Sequence, residues 1–269
     1  MVQFAYVIAG SEATGGAGLQ VDLKTFQQLG VYGIGTITCI VSFDPKNGWG
    51  HRFVPVDPQV IADQFEAATA SQDLDTVKVG MLGTPATIDV VAKALASQPW
   101  RNVVVDPVLI CKGQEPGAAL DTDTALKEKV LPLATVVTPN NFEARALSGL
   151  ASLETIDDLA EAGRLILARG PKAVVVKGGI DFPGPDAIDV LVQASPAGGQ
   201  PTVQVFSAPK IGQERVSGAG CTFAAAITAE LAKGSTLPDA VQVAKDLVTR
   251  GIQHRVPGHT PFTTVWQGA

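Results

Sequence analysis

The sequence predicts an α/β protein of three layers, with helices on both faces of a central, mainly parallel sheet. Three observations predict it. Strand-like runs alternate with helix-like runs of roughly 10 to 15 residues almost from end to end, the pattern of right-handed βαβ units. The chain is 46% hydrophobic and 17% charged, enough apolar surface for a well-filled core. Its 28 Gly and 18 Pro supply the many short turns that such an alternation needs. No composition shift, long linker, repeat or low-complexity tract divides the 269 residues, so a single domain over 1–269 is expected.

The elements follow in order. Residues 4–9 are a compact apolar run stopped by Gly10, and residues 17–29 have helical spacing. Residues 34–41 form a β-branched strand, with Cys39 read as core. Asp57-Pro58 and Thr84-Pro85 each set a capping side chain before a proline, which starts a helix. Residues 102–105 and 135–137 are short buried strands. Residues 156–168 are amphipathic, gathering Ile156, Leu159, Ala160, Ile166 and Leu167 near one side. Residues 172–176 make a further strand, 187–192 and 202–206 a late β pair, and 219–232 and 240–248 the closing helices.

A net charge of −6 argues against a nucleic-acid partner, which needs a basic footprint. Backbone N–H groups and local lysines can still hold an anionic ligand. The longest apolar stretches are strand-sized, well short of the roughly 20 residues that span a bilayer, so no membrane partner is expected. The N-terminal MVQFAYVIAGSE reads as a first strand and not as a signal peptide. Three cysteines, Cys39, Cys111 and Cys221, make no disulfide framework and point to the cytoplasm.

Five motifs could carry chemistry. The loop Gly10-Ser11-Glu12-Ala13-Thr14-Gly15-Gly16-Ala17-Gly18 lacks the Lys-Ser/Thr of a Walker loop and departs from the dinucleotide pattern. It remains a glycine-rich turn that offers backbone N–H groups to a polar ligand, or else a tight βα turn. The loop Ser217-Gly218-Ala219-Gly220-Cys221 runs into a helix, so the N–H groups of 218–220 form an anion hole for a transferred phosphoryl. Cys221 at that helix start is expected to have a lowered pKa and to favour the thiolate, the alternative being a small core residue. In Thr138-Pro139-Asn140-Asn141-Phe142-Glu143, Asn140 and Glu143 either hold a hydrated Mg²⁺ or make a capping box. Lys177 ends a strand before two glycines, where a point charge suits a phosphate or is simply solvated. Asp106 ends a strand before Pro107, placed for a metal or for a turn, and Cys111 follows beside Lys112 and Gly113.

Together, IAGSEATGGAGLQVDLKTFQQLGVYG, VKVGMLGTP, VVVDPVLICKG, VVTPNNFEA, VVVKGG and GAGCTFAAAITAELAKG resemble the hydroxymethylpyrimidine kinase and pyridoxal kinase branch of the ribokinase-like superfamily. The resemblance runs over roughly residues 4–250 and implies the ribokinase-like α/β/α sandwich. It implies transfer of the γ-phosphoryl of ATP, with Mg²⁺, to a hydroxymethyl group of pyridoxal or hydroxymethylpyrimidine, and a homodimer. Cys221 then becomes the catalytic base, with Gly218, Ala219 and Gly220 as anion hole. Asn140, Lys177 and Lys210 fall to the ATP side, and Asp106 and Glu143 to the metal. Gly10, Gly18, Phe43, His51, Val108 and Cys111 fall to the acceptor.

Two details bear on the acceptor. DPVLICKG resembles the lid motif of dual-cysteine pyridoxal kinases, in which Cys111 would add to the pyridoxal aldehyde as a hemithioacetal. Ser42-Phe43-Asp44 stands where pyrimidine kinases carry Ala-Gln-Asn, and Phe43 lacks the amide that hydrogen-bonds a pyrimidine. Trp49 and His51 also resemble the dual-cysteine group. The expectation is a pyridoxal kinase; a hydroxymethylpyrimidine kinase and a non-catalytic vitamin or nucleotide sensor are the alternatives.

Overall fold

The computed structural model describes residues 2–109, 116–195 and 198–269. The described strands form a nine-stranded sheet in the order β3-β2-β1-β4-β5-β6-β7-β8-β9. They are β1 Gln3–Glu12, β2 Val31–Asp44, β3 Gly50–Pro55, β4 Thr76–Val79, β5 Asn102–Val105, β6 Val136–Val137, β7 Ala173–Lys177, β8 Asp186–Gln193 and β9 Thr202–Pro209. Pairs from β2 through β7 are parallel, while β3, β8 and β9 run antiparallel to their neighbours. This is the mainly parallel α/β fold that the alternation predicted, and it agrees with the ribokinase-like sandwich that the resemblance implied.

Strand alternation sorts side chains to the two faces. Tyr6, Ile8, Val103, Val105, Val174 and Val176 face one core with α2 Pro58–Ser71, α3 Pro85–Ala96, α4 Pro116–Lys129, α5 Asn141–Ser148 and α6 Ile156–Leu167. The alternate residues Ala5, Val7, Val104, Ala173 and Val175 face the other cores with α1 Gly18–Gln28, α7 Ala219–Ala232 and α8 Leu237–Gln253. Runs such as Val103-Val104-Val105 are apolar throughout because both faces are covered.

Local chemistry starts the helices where the sequence says. Asp57 caps α2 through the Gln59 N–H and Thr84 caps α3 through the Thr87 N–H, each before a proline. Strand β3 has no counterpart in the sequence reading, since its side chains meet solvent on both sides and show no hydrophobic period. It pairs with β2 to make a hairpin that sets Phe43 opposite His51. Among the described residues, no helix is long and apolar enough to cross a membrane.

The chain leaves β1 for β2 on one side and later enters β4 on the other. The carboxyl ends of β1 and β4 therefore flank a switch point, where open α/β sheets bind ligands. Gly10, Asp106, Asn140 and Lys177 all lie at or just beyond the carboxyl ends of parallel strands.

Candidate active site

The two glycine loops lie against each other. Gly18 has a left-handed φ of +63°, and a β-carbon there would run into the Gly10 carbonyl. Gly218, φ +80°, caps α7, and its β-carbon would stand 2.5 Å from the Gly16 carbonyl. The Ser217 hydroxyl donates to that same carbonyl at 3.2 Å.

The first loop is largely self-satisfied, which corrects the expectation that its N–H groups face a ligand. The buried Glu12 carboxylate accepts the Thr14 N–H at 2.6 Å, the Thr14 hydroxyl at 2.7 Å and the Gly16 N–H at 3.0 Å. The Ala13 N–H donates to Val41 O, and the Gly15 N–H to Glu12 O. A loop this tight must pair its backbone internally or leave it orphaned. The Gly18 N–H is the exception that bears on chemistry, because it lies near the Cys221 sulfur and favours its thiolate.

Beyond that contact opens a cavity of about 830 Å³, the size of a nucleotide site. Ten predicted site residues line it: Asp106, Val108, Asn140, Glu143, Lys177, Lys210, Gly218, Ala219, Gly220 and Cys221. Gly10, Gly18, Phe43 and His51 lie outside it, on the side of the first glycine loop and the β2–β3 hairpin. There the Phe43 ring meets His51 at 4.6 Å and Phe262 at 5.1 Å between centroids. Cys111 lies outside the described residues. Cys39 is buried core, as expected.

Charges line the cavity floor. Lys177 Nζ pairs with Asp106 Oδ1 at 3.0 Å, and the Thr138 hydroxyl donates to the same oxygen at 3.3 Å. Burial alone would raise the Asp106 carboxyl, but Lys177 and Lys78 outweigh it and hold the group below the usual carboxylate range. Burial also works against the Lys177 ammonium, yet Asp106 and Glu143 keep its pKa above the ordinary value. Lys177 is thus a largely buried, paired cation and not a solvated one. Lys210 Nζ donates to the Phe182 carbonyl at the rim.

The capping reading of Asn140 and Glu143 holds. Asn140 Oδ1 accepts the Glu143 N–H at 2.9 Å and Glu143 Oε2 accepts the Asn140 N–H at 2.8 Å, a complete capping box. The same carboxylate lines the cavity. Burial, with Asp106 nearby, pushes its pKa up to about 7 against the pull of Lys177.

The expected low pKa of Cys221 is corrected. It stands in the first turn of α7, but burial pushes its thiol up to about 11, and Asp22 and Asp106 add to the rise. Lys78 and the Gly18 N–H pull the other way without prevailing. A helix start is worth at most a couple of kcal/mol, less than the cost of desolvating a thiolate.

Lys78 and Asp22 escaped the sequence reading. Both side chains are fully buried, and Nζ bonds the two carboxylate oxygens at 2.7 and 2.8 Å, tying β4 to α1 beneath the glycine loops. The signal was a lysine inside Thr76-Val77-Lys78-Val79, an apolar strand where a solvated lysine has no place.

An α/β sheet whose strand ends and helix start converge on a nucleotide-sized cavity, with a paired lysine on its floor, suits phosphoryl transfer. Residues 12–265 match the phosphomethylpyrimidine kinase family. Pyridoxine kinase of Bacillus subtilis (strain 168) is 43% identical over 253 residues, 94% of this chain and 91% of that one. Hydroxymethylpyrimidine/phosphomethylpyrimidine kinase of Haemophilus influenzae is 38% identical over 270 residues, 98% of this chain and 97% of that one. The crystal structure of an ADP complex of Bacillus subtilis pyridoxal kinase superposes with a TM-score of 0.93 at 40% identity, covering 100% of this chain and 98% of that one. The protein is an ATP-dependent small-molecule kinase that phosphorylates an alcohol group. It belongs to the phosphomethylpyrimidine kinase family.

Proposed function

We propose that this kinase transfers the γ-phosphoryl of ATP to the 5′-hydroxymethyl group of pyridoxal, with residues 1–269 acting as one domain. The observation that carries the reading is the position of Cys221, which lines the nucleotide cavity from the first turn of α7, close enough to the first glycine loop for the Gly18 N–H to favour its thiolate. A group at that junction can take a proton from a hydroxyl on one side as phosphorus arrives from the other. The N–H groups of Gly218, Ala219 and Gly220 stabilise the equatorial oxygens, and Lys177 neutralises developing charge.

The donor set suits Mg²⁺. Asp106 Oδ1 is committed to Lys177 and Glu143 Oε2 to its cap, which leaves one oxygen on each carboxylate. No cluster of three or more ligating His, Cys, Asp or Glu side chains occurs among the described residues. Two carboxylates beside a phosphate site are what a magnesium ion that keeps its waters requires. Asp106 and Glu143 would hold it, and when bound it would screen phosphate charge.

Pyridoxal is favoured over a pyrimidine by Phe43, packed between His51 and Phe262 where a hydrogen-bonding side chain would be wanted. Similarity to pyridoxine and pyridoxal kinases supports the same choice. The second reading, hydroxymethylpyrimidine kinase, is favoured by the 38% identity to the Haemophilus influenzae enzyme. ADP release with pyridoxal, pyridoxine and hydroxymethylpyrimidine, side by side, separates the two. Pyridoxal is expected to turn over best, and a preference for the pyrimidine, or silence with all three, would overturn the assignment.

Cys111 is assigned to the lid, its sulfur adding to the aldehyde carbon and its proton passing to the carbonyl oxygen. Cys111→Ala is expected to lower kcat/KM for pyridoxal about tenfold or more, leaving pyridoxine, which lacks the aldehyde, nearly unchanged. Equal losses with both would end the aldehyde-capture idea.

A homodimer in the cytoplasm belongs to the same reading. Ile40 and Val54, directly paired across β2 and β3, are 44% and 60% exposed, apolar surface that a second copy would cover. Light scattering is expected to return twice the chain mass, and Ile40→Glu to return one chain mass; a monomeric wild type would refute it.

A further inference from the structure

Residues 259–267 carried no reading in the sequence, yet they cross both glycine loops. The Ser217 N–H donates to Thr263 O at 2.9 Å and the Val265 N–H to Ser217 O at 3.0 Å, so the segment is stitched in place one residue from Gly218. Val256 and Thr264 exchange hydrogen bonds of 2.8 and 3.1 Å, fastening it to the chain just past α8. The Thr264 methyl group lies 2.6 Å from where a β-carbon on Gly16 would stand, so the segment also touches the first loop. Gln267, buried, donates to the Thr222 hydroxyl at 3.0 Å on α7.

From this frame Phe262 reaches Phe43, with centroids 5.1 Å apart and planes at 55°. The Thr260 hydroxyl donates to the Phe262 carbonyl at 2.6 Å, which holds the backbone that carries the ring. Phe43, His51 and Phe262 are each only partly buried, and none belongs to the hydrophobic cores. Three rings left partly open on segments that touch the first glycine loop offer flat faces at little ordering cost, which is what a flat heteroaromatic ligand takes.

We propose that Phe262 is a specificity-determining wall of the acceptor subsite, completing with Phe43 and His51 an aromatic enclosure for the ring of a heteroaromatic alcohol. This rests on the reading above that Phe43 faces the acceptor. The strap that carries Phe262 also braces Ser217, so the acceptor wall and the phosphate-binding loop share one support.

The test is steady-state kinetics on Phe262→Ala and Phe262→Leu in the full chain, with pyridoxal, hydroxymethylpyrimidine and ATP each varied. Phe262→Ala is expected to raise KM for the preferred vitamin about tenfold and Phe262→Leu about threefold, with KM for ATP within about twofold of wild type. Calorimetric titration with pyridoxal and with a non-hydrolysable ATP analogue is expected to show the same split. Should the alanine variant not fold, the leucine variant, which keeps apolar volume, decides alone. An unchanged vitamin KM, or equal losses for vitamin and ATP, would overturn the proposal, since a merely structural strap disturbs both sides through Ser217. Were the wild type to prefer the pyrimidine, the pyridoxal assignment would fall, and Phe262 would be judged by the same split on the pyrimidine's KM.

Discussion

Replacing Cys221 by alanine is expected to lower kcat by about 100- to 10,000-fold, the range that a positioned general base supplies. Affinity for a non-hydrolysable ATP analogue should stay within about threefold, because the 218–220 N–H groups and Lys177 remain. The variant loses a half-buried sulfur in the first turn of a helix that is otherwise almost wholly buried, so its Tm should hold. The pH profile carries a second, sharper mark. Burial and the neighbouring carboxylates set the resting thiol at about 11. The thiolate fraction therefore climbs about tenfold per pH unit through the neutral range, and kcat/KM should keep rising to at least pH 9. In Cys221→Ala that rise should vanish. Full activity in the variant, or a wild-type plateau reached by pH 7, would assign the proton to another group.

Replacing Lys78 by methionine is expected to cost about 3–5 kcal/mol of stability, on the order of 10 °C in Tm for a chain of this size. The change strands the Asp22 carboxylate, fully buried and bonded through both oxygens to Nζ. The loss should depend on pH with a definite sign. Burial already raises folded Asp22 to about 6 from 3.8, with Lys78 opposing the rise. Stability from this group is thus fully present below 3.8 and lost as pH climbs through about 6. Without Lys78 the folded pKa moves higher still, so Lys78→Met should be nearer to wild type at pH 5 than at pH 8 in urea denaturation. The double variant Asp22→Leu with Lys78→Met removes both charges and should recover most of the loss. It should not recover turnover, because Lys78 is also the strongest pull toward the thiolate of Cys221. A double variant as unstable as the single would show that volume, and not charge, sets the cost.

How much of this was legible can be seen in particular elements. The first-turn prolines of α2 and α3 and the apolar runs of β5 and β7 announce themselves because capping and burial on both faces are local demands on local residues. Strand β3 does not, since an exposed hairpin strand carries no hydrophobic period. The capping box at Asn140 and Glu143 was equally visible. A place for its carboxylate beside phosphates was read there too, but the walls of the cavity were not, because they are made by β5, β7, α7 and α8 arriving from elsewhere in the chain.

The ordered motifs by themselves determined the layered parallel fold, the branch of kinases and most of the cavity lining. Such residues sit at strand ends and helix starts, and backbone geometry there is written in a few neighbours. Only the tertiary structure decided the protonation of Cys221, the pairing of Lys177 with Asp106, the buried Lys78–Asp22 bond and the course of residues 259–267 over the glycine loops. Each depends on desolvation or on partners dozens of residues away. A charge's free energy is set by what surrounds it in space, and a sequence lists only what precedes and follows it.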